Sequence, residues 1–386
     1  MAFDIDEDDF ESGSERAGDV AREGSDDGSG EVPRRSGSER LPGPDVVRAV
    51  ALIGVVVMNY HGYLILRGGD RTGGWVAELF DPWTGPLATR FAATFVLVAG
   101  VGVTLLTRRV WTPDLVTVAR WQLVRRGLVL YLLGLLLDRI WPGTIIVFYG
   151  AMFALAAVLF TLKTRWVLTV GVVAALAGWA INAWMFDREL DGESVTWLTL
   201  PGSTSVRGLA FDVFVNGTHP LLPWLAFFCV GIVIGRHLDA VQLTSTLIGA
   251  GLVLFASATI VSTFASSPFQ EFVLSTDPQS RSLPYTVSAL GTAMIAFGAL
   301  SWVAERFPTT TDPLRRAGQL SLTIYLAHIL VFNLLVDWLE WIEPGGVDTS
   351  LAFAGAFWVV AIGAATWWHR RFGRGPAERV YRALSG

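Results

Sequence analysis

Residues 44–66, PDVVRAVALIGVVVMNYHGYLIL, decide how the rest of the chain is read. Their middle is a nearly unbroken apolar run of the length a bilayer core demands, so they read as a membrane-spanning helix. Asp45 and Arg48 open the stretch, and Asn59, Tyr60 and His61 lie near its far end. Arg48 and Asn59 are separated by close to three helical turns, which sets them on one face with Leu52 and Val55 between them. Polar groups in a lipid-spanning helix cost free energy unless they face protein or water. They are therefore functional candidates.

The remainder of the chain repeats the pattern. Of 386 residues, 52% are hydrophobic and 16% charged, the composition of a polytopic membrane protein. The net charge of −5 is misleading taken whole, because residues 1–43 are a different material: acids mixed with Gly, Ser and Arg and no apolar run. That segment reads as a disordered acidic cytoplasmic tail, and it lacks the apolar core of a signal peptide. Residues 44–386 read as one transmembrane domain. Cys229 is the lone cysteine, inside an apolar segment, so no intrachain disulfide is available.

Further spans are expected at about 86–106, 122–137, 145–162, 166–186, 218–235, 243–265, 283–303, 314–338 and 351–368, giving an all-α protein of about ten transmembrane helices. Gly100, Gly102, Gly231 and Gly235 read as helix-packing positions. Asp187 to Gly217 reads as a long polar loop. With the amino terminus inside, the inner loops and carboxy terminus collect most of the basic residues, from Arg108 and Arg109 to Arg379 and Arg382; the outer loops hold few. The positive-inside rule then puts both termini in the cytoplasm of a multi-pass plasma-membrane protein.

Five histidines are present. His237 and His369 fall at inner helix ends and read as bystanders. His219 opens the sixth span on the outer side, beside Asn216 and Thr218, where it either starts the helix or lines a substrate site. In the ninth span, Gln319-Leu-Ser-Leu-Thr-Ile-Tyr-Leu-Ala-His328 puts Ser321, Tyr325 and His328 on one face. Counting a rise of about 1.5 Å per residue, His61 and His328 lie at similar heights, roughly 22 and 21 Å from the inner starts of their helices, with Asn59 slightly shallower. Convergence of Asn59, His61 and His328 on one pocket is the expectation.

Asp45 and Arg48 at the head of the first helix, then Asn59-Tyr60-His61-Gly62, resemble the catalytic domain of heparan-alpha-glucosaminide N-acetyltransferase and the related YeiB-like membrane proteins. The wider transmembrane acyltransferases carry an Arg, ten residues and a His in this helix. Here that spacing lands on Asn59, which fits the N-acetyltransferase branch, while Ala49 departs from the Gly these families mostly have. The Tyr325–His328 motif resembles that branch too, as do GTHPLLPWLAFFCVGIVIGR and the closing GPAERVYR. The resemblance implies acetyl transfer, with acetyl-CoA as cytoplasmic co-substrate and a glycan or small-molecule amine or hydroxyl as acceptor outside.

On that reading His61, Asn59 and His328 carry the chemistry, a base for the nucleophile and donors for the tetrahedral oxyanion. Asp45, Arg48, Tyr60, Arg90, Arg125, Arg126, Ser321, Tyr325 and His219 are the binding candidates. Arg108, Arg109, Arg120, Arg315 and Arg316 add cationic charge for nucleotide phosphates inside, and Trp75, Trp83 and Trp197 are available to a sugar outside. No metal cluster is visible in the spacing of His, Cys and acids, and nothing points to nucleic acid. A homo-oligomer is compatible with the sequence. Two rival readings use the same residues: a transporter or flippase with these stripes as its path, and a scaffold whose acidic tail recruits a partner.

Overall fold

The computed structural model describes residues 41–110, 112–199 and 205–386. The acidic segment lies outside the described residues as far as residue 40; Pro42 and Gly43, which the sequence placed in the tail, already belong to the first helix. Among the described residues the protein is all-helical. Ten helices correspond one for one to the expected spans: α1 (Pro42–Ile65), α2 (Arg90–Thr107), α3 (Pro113–Leu137), α4 (Ile146–Leu159), α5 (Thr164–Leu190), α6 (Leu221–Arg236), α7 (Leu243–Ser262), α8 (Leu283–Arg306), α9 (Ser321–Phe332) and α10 (Val347–Phe372).

Seven of these are long and apolar enough to cross a membrane, α9 being counted together with the π-turn Asn333–Trp338 that extends it. An eighth is a bent pair, Val206–Asn216 followed by α6, with a 60° angle between the halves. The region expected to be a loop up to Gly217 therefore supplies half of this pair. Of the remaining two, α3 is 25 residues long but carries Arg120, Arg125 and Arg126, and α4 is apolar but only 14 residues long. The protein is a multi-pass membrane protein.

Helix starts follow local chemistry. Thr112 caps α3 by accepting from Leu115 N–H, and Ser282 caps α8 by accepting from Tyr285 N–H at 2.9 Å. Each is followed by a proline in the first turn, where the missing N–H is not needed. Burial then sorts the helices. The apolar stretch of α1 is 72% buried within the protein and that of α2 67%, against 17% for α7 and 28% for α10. α1 is thus the axis of the bundle, packed by α2, α8, α9 and α10. The outer helices turn large side chains such as Leu132, Val172, Val253 and Val359 outward, as lipid requires.

Close approach is set by glycines. A Cβ on Gly100 would lie 2.1 Å from the Phe228 carbonyl oxygen, and one on Gly231 2.0 Å from that of Leu97, so α2 and α6 pack backbone to backbone. Gly318 does the same between the short helix Pro308–Gln319 and the start of α1, where a Cβ would meet the Asp45 carbonyl oxygen at 1.9 Å.

The ninth span begins later than expected. Its helix breaks at Leu320, whose φ −102° and ψ 25° are not helical, so residues 308–319 form a separate helix. His328 consequently stands only about 10 Å along α9, not 21 Å. The helix Pro376–Ser385 closes the same face: Glu378 accepts from Leu322 N–H (2.8 Å) and Thr323 N–H (3.1 Å) and so caps α9. These contacts place the start of α1, the start of α9 and the chain's last helix on one face of the bundle, the terminal face. The end of α1 emerges on the opposite, distal face.

Candidate functional site

On the distal side a pocket of about 380 Å³ enters the bundle. α1 contributes Met58, Asn59, Gly62 and Tyr63, and α9 contributes Tyr325. Three connections and the break in the bent pair complete it, with Trp83 from one, Trp141, Pro142 and Gly143 from the next, Thr218 and His219 from the break, and Gln279 and Arg281 from the last. Aromatic faces and hydrogen-bonding groups alternate around the wall, the mixture expected of a small-molecule site.

Behind that wall Asn59 and His328 meet. Asn59 Nδ2 lies 3.3 Å from His328 Nε2. His328 Nδ1 faces the carbonyl oxygen of Tyr325, one turn back on the same helix. A carbonyl can only accept, which assigns the imidazole proton to Nδ1 and leaves Nε2 with a lone pair toward Asn59. The ring is fully buried, and the edge of Trp141 closes on it with centroids 5.6 Å apart. Tyr60 Oη donates to the His328 carbonyl oxygen at 3.0 Å while its ring stacks on Phe353 at 4.3 Å. Tyr60 therefore fixes the backbone that carries the imidazole. Tyr325 Oη and Thr144 Oγ1 are 3.0 Å apart, which ties the pocket floor to the start of α4.

His61 goes elsewhere. Its Nδ1 meets Ser350 Oγ of α10 at 3.0 Å, and Ser350 in turn donates to the Gly346 carbonyl oxygen at 3.0 Å, so His61 is the donor to Ser350. Equal depth along a helix does not give equal direction: two residues turn a helix by about 200°, so Asn59 and His61 leave α1 on opposite sides. The structure brings Asn59 and His328 together and turns His61 away from the pocket.

The other expected site residues fall into three places. His219 and Tyr325 line the distal pocket. Thr218 Oγ1 donates to the Gly143 carbonyl oxygen (3.0 Å), so His219 Nδ1 donates to Thr218 Oγ1 (3.1 Å) and Nε2 is left to accept. Arg90 is also distal, donating to Ser288 Oγ at 2.8 Å, with its guanidinium 5.6 Å from the Tyr285 ring centroid. Toward the terminal face, Arg48 pairs with Asp45 at 3.0 Å, and Gln319 Nε2 donates to the other Asp45 oxygen at 3.0 Å. Ser321 sits just above, fully buried. Arg126 is buried under the last helix, where Tyr381 Oη donates to its carbonyl oxygen at 3.4 Å; Arg125 is exposed beside it.

Tyr325 and Ile145 also wall a second, much smaller cavity of about 10 Å³ below the pocket, lined by Phe95, Tyr149, Ser321 and Leu322. Its size admits one water. The buried Tyr149 Oη and Ser321 Oγ, and Gln319 Oε1 beneath them, have no hydrogen-bond partner among the described residues. On the terminal face Arg315 and Arg316 share the single carboxylate of Asp312, which leaves one net positive charge, and Arg108, Arg109, Arg120 and Arg125 are exposed.

Sequence reasoning missed Trp141, Thr144, Tyr149 and Ser350. Trp141 carried a signal, a large aromatic in a Trp-Pro-Gly turn where a solvent loop would have none. A cavity of about 540 Å³ between α5 and α6 is apolar and lies away from all of these groups. Among the described residues no three of His, Cys, Asp and Glu come together as a metal-binding group.

Fold and site together define a multi-pass membrane protein with an amide, Asn59, on the wall of a distal pocket and a buried imidazole, His328, behind it. Residues 40–261 match the family described as heparan-alpha-glucosaminide N-acetyltransferase, catalytic, and because that is more than half of the chain, the protein belongs to this membrane acetyltransferase family. Residues 235–386 match a family described only as a protein of unknown function (DUF418). No curated protein matches the chain.

Proposed function

We propose that this protein transfers an acetyl group from cytoplasmic acetyl-CoA to an amine or hydroxyl of an extracytoplasmic glycan, with both termini inside the plasma membrane. The observation that carries the reading is the Asn59–His328 contact. It sets an imidazole nitrogen with a free lone pair directly behind Asn59, whose amide lines the pocket on the distal face; this reading makes that face extracytoplasmic.

His328 Nε2 takes the proton of the attacking amine or hydroxyl as that atom bonds to the thioester carbonyl carbon, and gives it to the sulfur as the C–S bond breaks. Asn59 Nδ2 turns from Nε2 to the carbonyl oxygen, where negative charge gathers. Tyr60 holds the α9 backbone in place, and Trp141 keeps water from the ring. Tyr325 stands between the acceptor pocket and the inner cavity, where the donor arrives. Asp45, Arg48 and Gln319 form the polar collar of that inner approach. The exposed arginines of the α2–α3 connection, with Arg125, suit the donor's phosphates. His61 ties α10 to α1. The family description names a glucosaminide as acceptor, and the aromatic faces of Trp83 and Trp141 suit a sugar ring here.

The test is reconstitution in vesicles with labelled acetyl-CoA enclosed on the terminal side and glucosamine or hydroxylated glycans on the other. Label should move to the acceptor and stop in the His328→Ala and Asn59→Ala variants. Movement of an acceptor across the membrane without CoA would instead establish the transporter reading.

A further inference from the structure

Two residues line both the distal pocket and the small cavity beneath it: Tyr325 of α9 and Ile145 at the head of α4. They form the septum between the two spaces. Its halves belong to helices that pack on different neighbours. α4 lies on α3, where a Cβ on Gly150 would stand 2.5 Å from the Tyr131 backbone nitrogen and one on Gly127 2.6 Å from the Gly150 carbonyl oxygen. α9 is held by α1 and by the last helix. Across the seam Tyr325 Oη and Thr144 Oγ1 meet at 3.0 Å, both side chains buried.

Below the septum the same two helices face one another without such a bond. Tyr149 Oη comes from α4 and Ser321 Oγ from α9; both residues line the cavity of about 10 Å³, and neither hydroxyl has a partner among the described residues. Burial strips water from each hydroxyl and nothing replaces it. The seam is therefore balanced. Closed, it satisfies the pair at the septum and leaves two hydroxyls dry below. Parted, it gives up that one contact and wets the other two.

We infer that the Tyr325–Thr144 contact is a latch: it holds the two spaces apart, keeps distal water from the donor's thioester, and so sets transfer against hydrolysis. The inference rests on the acetyl-transfer reading for that consequence, but not for the latch itself. Hydrolysis is the same displacement with water as nucleophile. The water oxygen bonds to the carbonyl carbon, the C–S bond breaks, a proton passes to sulfur, and acetate and the CoA thiol leave.

The experiment has two arms. In vesicles with acetyl-CoA on the terminal side and glucosamine on the other, acetate and acetylated acceptor are measured together. Tyr325→Phe, which keeps the ring and loses the hydroxyl, and Thr144→Val should each raise the ratio of hydrolysis to transfer about tenfold, the worth of one buried hydrogen bond. Thr144→Ser should leave the ratio native. In the second arm Ser321→Cys reports on the cavity, through its reaction with a small, cationic, membrane-impermeant methanethiosulfonate added on the distal side. Cys229, buried on α6, is the control thiol. Labelling should be slow with the latch intact and about tenfold faster in combination with Tyr325→Phe or Thr144→Val. Fast labelling with the latch intact, or a rate that neither substitution changes, overturns the latch. Transfer with an unchanged hydrolysis ratio overturns its part in excluding water. Accelerated labelling with neither transfer nor hydrolysis in any variant upholds the latch and overturns the acetyl-transfer reading.

Discussion

The two halves of the bundle are built on different terms. In the distal half the polar groups around the pocket are bonded to one another: Asn59 with His328, Tyr60 with the His328 carbonyl, Tyr325 with Thr144. In the terminal half the cavity shrinks to about 10 Å³, and Tyr149 Oη, Ser321 Oγ and Gln319 Oε1 are buried without partners among the described residues. An unpartnered buried hydroxyl costs roughly 1–3 kcal/mol. The distal half is therefore a finished, preorganised pocket. The terminal half is a closed arrangement whose polar atoms gain partners when something polar enters, and Tyr325 stands between the two.

The largest effect belongs to the finished half. His328→Ala or Asn59→Ala should lower acetyl transfer by about 10²–10⁴-fold, the range for loss of a general base or an oxyanion donor. Thermal unfolding should show that the helices persist. An unaltered rate in either variant would remove the distal pocket from the chemistry. The next effect tests the closed half. Gly318→Ala puts a methyl group where only 1.9 Å separates it from the Asp45 carbonyl oxygen. It should cost about 1–3 kcal/mol in stability, with α1 displaced from Gln319. A neutral result would show that the terminal half is already loose.

A pair of matched tyrosines sharpens the contrast further. Tyr60→Phe removes a hydroxyl that donates to the buried His328 carbonyl, and should destabilise the protein by about 1–2 kcal/mol. Tyr149→Phe removes a hydroxyl with no partner, and should leave stability unchanged or raise it by up to about 1 kcal/mol. Chemical unfolding in detergent measures both. If the two variants lose the same stability, the halves do not differ in polar satisfaction and the comparison falls.

Much of this was visible in the chain alone, for identifiable reasons. Long apolar runs, prolines at helix starts and small residues at i and i+4 are local, and the ten helices and the Gly231 contact follow from them. The polar stripe from Arg48 to Asn59 is local too, because one helix fixes its own periodicity. What the sequence did not supply was direction around the helix axis relative to neighbours. His61 shares Asn59's depth but faces Ser350, and His328 reaches Asn59 from a helix that begins anew after the break at Leu320. The pocket wall needed still more, since Trp83, Trp141, His219 and Arg281 come from four separate segments. No periodicity links them.

The smallest effect concerns Asp81, whose carboxylate holds the turn that carries Trp83 to the rim of the distal pocket. Burial alone would push the Asp81 carboxyl up, but hydrogen bonds from Arg71, Thr84 and the Trp83 N–H outweigh it and hold the group at about 2, below its ordinary 3.8. A carboxyl depressed in the folded state contributes stability that is present above the unfolded value and lost as pH falls through the folded one. The contribution is therefore intact above about pH 4 and disappears toward pH 2. Because the Arg71 partner is half exposed, solvent screening limits it to about 1 kcal/mol or less. The Asp81 share of the stability should accordingly be flat from neutral pH to about 4 and fall below it, and Asp81→Asn should lower stability at neutral pH by that amount and remove the fall. An Asp81→Asn variant as stable as the native protein at about pH 7 would mean that some group other than Asp81 holds the Trp83 turn.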